Sequence, residues 1–409
     1  MHKLNIVGLG YIGLPTSLMF ASNGIEVIGT DLNKDLVNTL NRKKLTFEEK
    51  NLEQLFNKAL DAGITFSTKL EKTDRYIITV PTPYIKESKK IDPKYVVAAV
   101  RNVLDVCMEN AIVVIESTIS PGTIDKFVRP IVEERGFKIG ENIHLAHAPE
   151  RIIPGNMVYE LENNSRTIGA DSPEIGNEIR SWYKSFCKGD IVVTDIKTAE
   201  MSKVVENTFR DINIAFANEL AKICHRENMN VYELIKIANK HPRVNILQPG
   251  PGVGGHCISV DPWFLVGDYP DIVNVILGAR QVNDGMPKYV IRRIKEIMEE
   301  NNITELSKVG LYGLTYKENV DDLRESPTLQ LLERLENYFV KDLKVYDPMI
   351  TTKKVNGQIL DFKEFVDSVD FIVVMVGHDH LFENKEILND KIVLDTRNIV
   401  DSAKKLYKL

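Results

Sequence analysis

A chain of 409 residues, with 43% hydrophobic and 27% charged residues, has the composition of a globular protein and is long enough for two or three domains. Its net charge of -6 argues against a nucleic-acid-binding surface, which would carry a basic excess. No apolar run approaches the ~20 residues that cross a bilayer. We therefore expect neither a nucleic-acid partner nor a membrane partner.

The cysteines and histidines form no metal-site pattern. Cys107, Cys187, Cys224 and Cys257 are widely spaced without a C-x-x-C pair, which favours reduced thiols over a disulfide framework. The histidine pairs have no cysteine or carboxylate at metal-ligand spacing. We expect no metal ion. The N-terminus begins directly with a strand-like segment, which favours a cytoplasmic enzyme.

The N-terminal part of the chain alternates short β-branched segments with helical stretches. Over the first ~190 residues this alternation predicts a parallel sheet with crossover helices. Each candidate strand is a short apolar block, as expected where both faces of a sheet are covered. The candidate strands are "LNIVGL", "IEVIGTD", "RYIITV", "AIVVIES", "NIHLAH" and "DIVVTD".

The first strand leads into a G-x-G-x-x-G motif formed by Gly8, Gly10 and Gly13. A helix-like segment follows, and the second strand ends at Asp31, about 20 residues further on, which is the context of a dinucleotide site. The glycines let the backbone approach a pyrophosphate at the helix N-terminus. Asp31 can accept hydrogen bonds from the adenosine ribose and would repel a 2′-phosphate, so NAD is favoured over NADP; the nearby Lys34 weighs against that choice. A tight turn without a ligand is the alternative interpretation.

A long helix is predicted over residues 198–227, where apolar residues recur at three- and four-residue spacing without glycine or proline. Such a helix is ~45 Å long, so we expect it to connect domains or to pack against a partner chain. Further helices are predicted at 232–239 and 287–301. The apolar face of the long helix contains Met201, Val204, Val205, Phe209, Ile212, Phe216, Leu220 and Ile223.

The opposite face of this helix carries a polar stripe of Glu200, Lys203, Asn207, Arg210 and Asp211. Lys203 and Asn207 lie one turn apart, so a cation and a neutral donor can converge on one oxygen, which suits a developing oxyanion. For Arg210 and Asp211 a solvated outer face is an equally good interpretation.

A glycine-rich segment, "NILQPGPGVGGHCISVDPWF" at 245–264, predicts a flexible, irregular loop around a single thiol. Cys257 follows a glycine pair, is flanked by His256, and has Asp261 four residues further on. Glycines beside a reactive atom allow close approach of a substrate, and a thiolate needs cationic or amide-rich surroundings. From the residues alone, a nucleophilic cysteine and a buried structural cysteine remain equal alternatives.

After Leu306 the strand–helix alternation returns in "KVGLYGL", "LKVYD", "FIVVMVG" and "KIVLDTR". The order repeats that of the N-terminal part, with Asp347 ending the second strand as Asp31 does. The repeat lacks the glycine triplet, which predicts a ligand other than a dinucleotide. The sequence therefore predicts an α/β protein with two doubly wound Rossmann-like domains, 1–195 and 304–409, joined by a helical middle, 196–303, that contains the long connecting helix.

Several segments together resemble the nucleotide-sugar 6-dehydrogenases of the UDP-glucose/GDP-mannose dehydrogenase family over essentially the whole chain. The segment "GGHCISVDPWF" with "ARQVND" resembles most the members that act on UDP-N-acetyl-D-mannosamine, and members that act on UDP-N-acetylglucosamine are near neighbours. Trp263 is the residue that points to the sugar. The matching segments are "IVGLGYIGLP", "VPTP", "ESTISPGT", "HAPERI", "AEMSKVVENTF", "GVGGHCISVDPWF", "GLTYKENVDDLRESP" and "DTRN".

The resemblance implies a four-electron oxidation of the C6 alcohol of a UDP-amino-sugar to a carboxylate, with two NAD molecules used in turn, in polysaccharide biosynthesis. Cys257 would form a thiohemiacetal and then a thioester. Lys203 and Asn207 would stabilise the oxyanion. Glu150 would act as base in thioester hydrolysis, assisted by Asp261.

The resemblance also implies binding residues and a homodimer built on the long helix. UDP would bind at the C-terminal domain. Arg243 would reach the substrate of a neighbouring subunit. The implied cofactor-binding residues are Gly8, Gly10, Tyr11, Ile12, Gly13, Asp31, Pro81, Thr82 and Thr118. Thr118 is also an implied catalytic residue, because it would lie near the nicotinamide and the water. The implied substrate-binding residues are Glu150, Arg151, Lys203, Asn207, Arg243, Gly254, Lys317, Arg324 and Arg397.

Two other classes of protein share parts of this pattern. A two-electron β-hydroxyacid-type dehydrogenase also has a Lys/Asn pair on a long helix, but Cys257 and the second α/β domain would have no purpose there. A dinucleotide-sensing protein without turnover would not need the set of Cys257, Lys203, Asn207, Glu150 and Asp261. Both classes are therefore less favoured than the nucleotide-sugar dehydrogenase.

Overall fold

The computed structural model describes residues 3–255, 257–336 and 343–409. The chain divides into two compact units, Met1–Glu206 and Asn207–Leu409. The boundary between the units falls inside the long helix. The division into domains at 1–195, 196–303 and 304–409 stays a prediction.

The first unit is built around one sheet. Its strands are β1 (Leu4–Val7), β2 (Val27–Thr30), β3 (Thr65–Ser67), β4 (Arg75–Ile78), β5 (Ala111–Ile115), β6 (Ile143–His147), β7 (Arg166–Ala170) and β8 (Ile191–Thr194). Its helices are α1 (Gly13–Ser22), α2 (Lys34–Asn41), α3 (Leu52–Asp61), α4 (Lys94–Leu104), a π-helical turn (Ile124–Val128), α5 (Arg129–Glu134), α6 (Met157–Asn163), α7 (Pro173–Tyr183) and the start of α8 (Ile196–Arg226).

The strand order in this sheet is β3-β2-β1-β4-β5-β6-β7-β8, with β6 and β7 antiparallel and the other pairs parallel. Its first six strands have the 3-2-1-4-5-6 order of a dinucleotide-binding fold. All six predicted strands are present. The sequence missed β3, a three-residue edge strand, and β7, because "RTIGA" begins with an arginine and contains a glycine.

The second unit contains the rest of α8 and a five-stranded sheet. Its strands are β9 (Val309–Tyr312), β10 (Lys344–Tyr346), β11 (Phe371–Val374), β12 (Ile392–Asp395) and β13 (Lys405–Lys408). Its helices are α9 (Val231–Ala238), α10 (Asp261–Asp268), α11 (Asn274–Asp284), α12 (Met286–Glu300), α13 (Pro327–Glu336), α14 (Phe362–Ser368) and α15 (Asp379–Glu383), with short 3-10 turns at Leu306–Lys308 and Lys385–Leu388.

The second sheet is parallel throughout, in the order β10-β9-β11-β12-β13. This 2-1-3-4-5 order is the other common doubly wound arrangement. The prediction of two doubly wound sheets with a helical middle is confirmed. The sequence missed α10, α11 and β13. Helix α10 starts at Asp261, inside the segment that was predicted to be an irregular loop.

The burial of α8 differs from the expected pattern. Among the polar residues, Glu200, Lys203, Asn207 and Asp211 are all buried, whereas Arg210 is exposed. The residues of the apolar face that are exposed include Val205, Phe209, Phe216 and Ile223, which are 47%, 65%, 50% and 56% exposed. Four of the five residues of the polar stripe therefore face the protein interior, where both carboxylates have hydrogen-bond partners. Four residues of the apolar face lie on the surface of the chain, whereas Val204 is buried.

No helix within the described ranges is long and apolar enough to cross a membrane.

Two helical glycines provide a test of packing in this fold. A Cβ at Gly176 in α7 would lie 2.3 Å from Cγ1 of Val193 in β8. Gly176→Ala is therefore expected to lower the free energy of unfolding by about 1–3 kcal/mol, through overpacking. A Cβ at Gly278 in α11 would meet nothing within 4 Å, so Gly278→Ala is expected to be neutral or to gain up to about 1 kcal/mol of helix propensity. Urea unfolding of both variants checks this difference, and equal effects would contradict it.

Candidate active site

The loop between β1 and α1 has the geometry of a pyrophosphate-binding turn. Gly8 has a φ of 98°, and a Cβ at Gly13 would lie 1.9 Å from the Gly8 carbonyl oxygen. The Thr79 hydroxyl donates to that same oxygen at 2.7 Å. A Cβ at Gly10 would meet nothing within 4 Å, so this side of the loop is open. Gly8 and Gly13 thus allow the tight turn, and Gly10 leaves room for a ligand at the helix N-terminus.

Asp31 lies directly beside this loop, after the end of β2. Its Oδ2 accepts the Leu9 backbone N–H at 2.8 Å, and its Oδ1 accepts the Asn33 N–H at 2.8 Å. The half-buried carboxylate is therefore fixed at the point where a dinucleotide fold binds the adenosine ribose. The open glycine turn and the acidic acceptor fit NAD. Lys34, the residue that weighed against this choice, is exposed in the first turn of α2.

The other predicted cofactor residues lie in the first unit, on the loop after β1 and at the carboxyl ends of neighbouring strands. Tyr11 is 36% exposed, and its ring contacts Phe47 with the centroids 4.5 Å apart. Pro81 and Thr82 follow β4, and Thr118 follows β5. Because β1, β4 and β5 are parallel neighbours, these loops share one edge of the sheet. Ile12, between Gly10 and Gly13, is half-buried.

Glu150 lies in a buried cluster that sequence reasoning did not find. Arg166 donates to Oε2 of Glu150 at 2.5 Å and to Oε1 of Glu116 at 3.4 Å. The Tyr183 hydroxyl donates to the same Glu116 oxygen at 2.9 Å. Oε1 of Glu150 accepts the backbone N–H groups of Arg151, at 2.7 Å, and Ile152. One buried guanidinium thus holds two carboxylates.

The charges in this cluster do not balance if both carboxylates are ionised. Burial, and then the negative charge of Glu150, raise the pKa of Glu116 to about 8, although Arg166 acts in the opposite direction. Burial opposes the charge of Arg166, but the negative groups around it raise its pKa. The only signal for this cluster in the sequence was an arginine at the start of an otherwise apolar strand segment.

A second buried carboxylate orders the loop after β5. Glu200 of α8 accepts the backbone N–H groups of Gly122 at 2.5 Å and Ile124 at 3.0 Å. Burial raises the pKa of Glu200 to about 7, although these two hydrogen bonds lower it. Lys203, one turn further along α8, is buried in the first unit.

In the second unit, three predicted catalytic residues meet. The Asn207 amide nitrogen donates to Oδ2 of Asp261 at 2.6 Å, and the Asp261 backbone N–H donates to the Cys257 carbonyl at 2.8 Å. Asp261 is the first residue of α10, where a carboxylate is favourable. Cys257 is half-buried, and, like the other three cysteines, it is not part of a disulfide. His256 lies outside the described residues.

The glycine-rich segment is anchored to helices. Asn213 and Asn218 of α8 accept the backbone N–H groups of Leu247 and Gly250, both at 2.9 Å. The Asn239 side chain exchanges two hydrogen bonds with the backbone of Ile246. The loop is therefore held by asparagine side chains, which the expectation of a flexible segment did not foresee.

The glycines beside Cys257 pack against the protein itself. A Cβ at Gly254 would lie 2.7 Å from the Glu325 carbonyl oxygen and from Cβ of Tyr316. A Cβ at Gly255 would lie 2.7 Å from the ring of Tyr316. These glycines are needed for the close approach of the segment around Tyr316, in addition to any room they leave for a substrate.

The predicted cations differ in their surroundings. Arg151 forms an ion pair with Glu206 at 2.7 Å, and Arg324 pairs with Asp322 at 2.6 Å. Arg243 is exposed on the loop after α9, and Lys317 is half-buried.

Arg397 lines a cavity of about 510 Å³ in the second unit. The Asp395 carboxylate accepts the N–H groups of Arg397, Ile399 and Val400 and thereby fixes the loop that carries Arg397. The cavity adds cationic and carboxamide side chains that sequence reasoning missed. Its lining residues are Tyr232, Lys236, Asn239, Lys240, Gln248, Arg397 and Asn398.

The first unit has an open glycine turn and an acidic acceptor at the edge of a mostly parallel sheet, and the second unit has a half-buried thiol next to Asp261. These features are typical of a dinucleotide-dependent oxidoreductase. Three domains of one family match the chain in order. They are the NAD binding domain at residues 2–187, the central domain at 197–285 and the UDP binding domain at 310–402. The protein belongs to the UDP-glucose/GDP-mannose dehydrogenase family and has that family's NAD-binding domain.

Relatives match along nearly the full length of the chain. A UDP-N-acetyl-D-mannosamine dehydrogenase of Methanococcus vannielii is 42% identical over 98% of this chain and 94% of its own. An NDP-N-acetyl-D-galactosaminuronic acid dehydrogenase of Ralstonia solanacearum is 39% identical over 99% of this chain and 97% of its own. The solved UDP-N-acetyl-D-mannosamine dehydrogenase of Pyrococcus horikoshii superposes with a TM-score of 0.92 at 36% identity, covering 99% and 98% of the two chains. The predicted family, fold and NAD dependence are confirmed.

Glu116→Gln tests the charge imbalance of the buried cluster. The unfolded chain ionises Glu116 near its ordinary pKa of 4.5, whereas the folded protein resists ionisation up to about 8. We therefore expect the wild type to lose stability relative to the variant as the pH rises between these values, with a constant difference outside this window. The free energy of unfolding of both proteins, measured in urea across this pH range, checks the slope. A difference that is independent of pH would contradict it.

Proposed function

We propose that the protein oxidises UDP-N-acetyl-D-mannosamine at C6 to UDP-N-acetyl-D-mannosaminuronate, with two NAD molecules reduced per sugar. The observation that carries the choice of sugar is the full-length similarity to the Methanococcus vannielii and Pyrococcus horikoshii enzymes of that name. UDP-N-acetylglucosamine, or another UDP-hexose, is the second candidate. The similar identity of the Ralstonia solanacearum relative, which is named for a different amino sugar, supports keeping an alternative sugar.

NAD supplies a hydride acceptor for each of the two oxidations. The protein's own residues would handle the protons. The Asn207 amide donates one N–H to Asp261 and keeps a second N–H for the substrate oxygen. Lys203 supplies the cation of the proposed pair. Asp261, fixed by Asn207 and beside the Cys257 backbone, would hold the water that accepts the alcohol proton.

Cys257 would keep the aldehyde bound between the two oxidations. Its thiolate forms a C–S bond to the aldehyde carbon, and the resulting oxyanion is stabilised by Lys203 and Asn207. Loss of a hydride from that carbon leaves a thioester. Glu150 then takes a proton from water, whose oxygen replaces sulfur at the carbon and releases the thiolate. Glu150 accepts three hydrogen bonds from the protein, so one of its about four acceptor sites remains for this water.

The UDP group is proposed to bind in the second unit. Lys236, Lys240 and Arg397 give the cavity a positive lining, which suits a diphosphate. Tyr232 and the carboxamides of Asn239 and Gln248 supply an aromatic surface and hydrogen-bonding groups suited to a nucleoside.

A homodimer through α8 is also proposed. Phe209, Phe216 and Ile223 repeat every seven residues on the helix surface, and each is at least half exposed. Such a spacing forms an apolar seam that a second copy of the same helix can cover.

The stoichiometry of the reaction tests the proposed function. With limiting UDP-N-acetyl-D-mannosamine and excess NAD, we expect two NADH per sugar and a uronate product, measured by absorbance and mass spectrometry. Two NADH from UDP-N-acetylglucosamine, with none from the mannosamine sugar, would move the assignment to the second candidate. One NADH per sugar would contradict the thioester route.

Cys257→Ala tests the nucleophile. Turnover to uronate is expected to fall about a thousandfold or more, because the covalent step is lost, whereas NAD affinity should be unchanged. Cys107→Ala is the matched control, since it removes a half-buried thiol of the first unit. Normal uronate formation by the Cys257 variant would rule out its role.

Phe209→Asp combined with Phe216→Asp tests the dimer. A charge at each position of the seam is expected to halve the solution mass in sedimentation or light scattering, because burying it unpaired is costly. Phe382→Asp, at a residue of α15 that is 49% exposed, is the control and should leave the mass unchanged. An unchanged mass in the double variant would place the interface elsewhere.

A further inference from the structure

In each of the two sheets, an aspartate accepts a backbone N–H from the loop after the first strand, but the surroundings of the two aspartates differ. Asp347 follows β10 as Asp31 follows β2. Its Oδ2 accepts the Leu314 backbone N–H at 2.6 Å, just as Oδ2 of Asp31 accepts that of Leu9 at 2.8 Å. In both units the donating amide belongs to the residue after a glycine with positive φ. The same carboxylate-to-turn bond therefore occurs at the equivalent position of each sheet.

The surroundings of the second carboxylate are closed. Oδ2 of Asp347 also accepts the Thr315 backbone N–H at 3.0 Å and lies 3.2 Å from Nε2 of His378. Oδ1 accepts the Met349 N–H at 2.8 Å. The side chains of Asp347 and His378 are 0% exposed, whereas Asp31 is half-buried. Asp347 is therefore saturated by protein groups and cannot serve a ribose as Asp31 can.

The hydrogen bond at Nδ1 of His378 determines which ring nitrogen carries the proton. Nδ1 of His378 accepts the Asn319 backbone N–H at 3.0 Å. A neutral imidazole has one donor and one acceptor nitrogen, so the proton is on Nε2 and points at Asp347. The Asn319 side chain accepts the Asp379 N–H at 3.0 Å. His378 thus links the buried carboxylate to the far end of residues 315–319.

Residues 315–319 are held at both ends and in the middle. Asp347 fixes the Thr315 amide, and the Thr315 hydroxyl donates to the Lys317 carbonyl at 2.9 Å. Between these points Tyr316 packs against Gly254 and Gly255, next to Cys257. The conformation that presents Lys317 therefore depends on the buried pair.

We propose that Asp347 and His378 are positioning residues for the substrate, fixing residues 315–319 so that Lys317 meets the nucleotide. This inference rests on the proposed function, in which UDP binds in the second unit, and on the substrate-binding role that the family resemblance implies for Lys317. Asp31 and Asp347 follow equivalent strands of the two sheets. In this proposal Asp31 binds the cofactor ribose, whereas Asp347 fixes the conformation of the substrate site.

His378→Gln and His378→Asn separate the two bonds of the histidine. A glutamine can still donate towards Asp347 but offers no acceptor at the place of Nδ1, whereas the asparagine oxygen lies near that place. For the glutamine variant we expect the Kd for UDP and the KM for the UDP-sugar to rise about tenfold to a hundredfold. The values for kcat and for the KM of NAD should stay close to wild type. The asparagine variant should retain UDP affinity within a few fold. Calorimetry with UDP and steady-state kinetics measure these values.

His380→Asn is the matched control, because that histidine lies two residues away and contacts the Tyr312 hydroxyl at 3.1 Å. Thr315→Val removes the hydroxyl that donates to the Lys317 carbonyl and that also lies 3.4 Å from Oδ2 of Asp347 and 3.3 Å from Nε2 of His378. It should weaken UDP binding in the same direction, which keeps the test valid if a His378 variant does not fold. Thermal unfolding of each variant identifies that case. If folded His378→Gln and Thr315→Val both bind UDP like the wild type, the proposal is wrong while the proposed function stands. If the wild type neither binds UDP nor oxidises a UDP-sugar, the proposed function fails with it.

Discussion

Carboxylates that accept backbone N–H groups hold the functional loops of this protein in shape. The carboxyl ends of parallel strands open into irregular segments whose amides have no strand or helix partner, and a buried amide without an acceptor is costly. Asp31, Glu150, Glu200, Asp347 and Asp395 each accept at least one such amide. The loops can therefore be irregular enough to bind ligands and still have one defined conformation.

This constraint explains why the charges of the protein interior are arranged in clusters. A carboxylate that accepts buried amides is itself removed from water, and in two clusters a cation or a proton offsets much of that cost. Arg166 supplies the cation for Glu150, and Arg280 supplies it for Asp211 at 2.7 Å. Glu116, the second carboxylate on Arg166, is left to take up a proton. The buried carboxylates and their arginine partners therefore determine both the loop conformations and the sites that take up protons.

Local sequence patterns predicted most of the strands and the cofactor site. Apolar blocks between glycines identified six strands of the first sheet and four of the second, and the context of Gly8–Gly13 with Asp31 identified the cofactor site. These patterns could not predict β7 or the cluster around Arg166, because a buried arginine looks like a surface residue until its two carboxylates are brought to it by the fold. They likewise placed Asp261 in a loop, because a helix of eight residues that starts at Asp-Pro has little periodicity of its own.

The reversed burial of α8 has a consequence for how this helix can change over evolution. Its interior face carries Lys203, Asn207 and Asp211, of which Asn207 is hydrogen-bonded to Asp261 and Asp211 to Arg280, and its surface carries Phe209 and Phe216. Under the proposed function and the proposed dimer, both faces of α8 are constrained, so the helix has few neutral positions. Exposed polar sites such as Arg210 and Glu219 are among the few, so we expect substitutions among relatives to accumulate there while the rest of α8 drifts slowly.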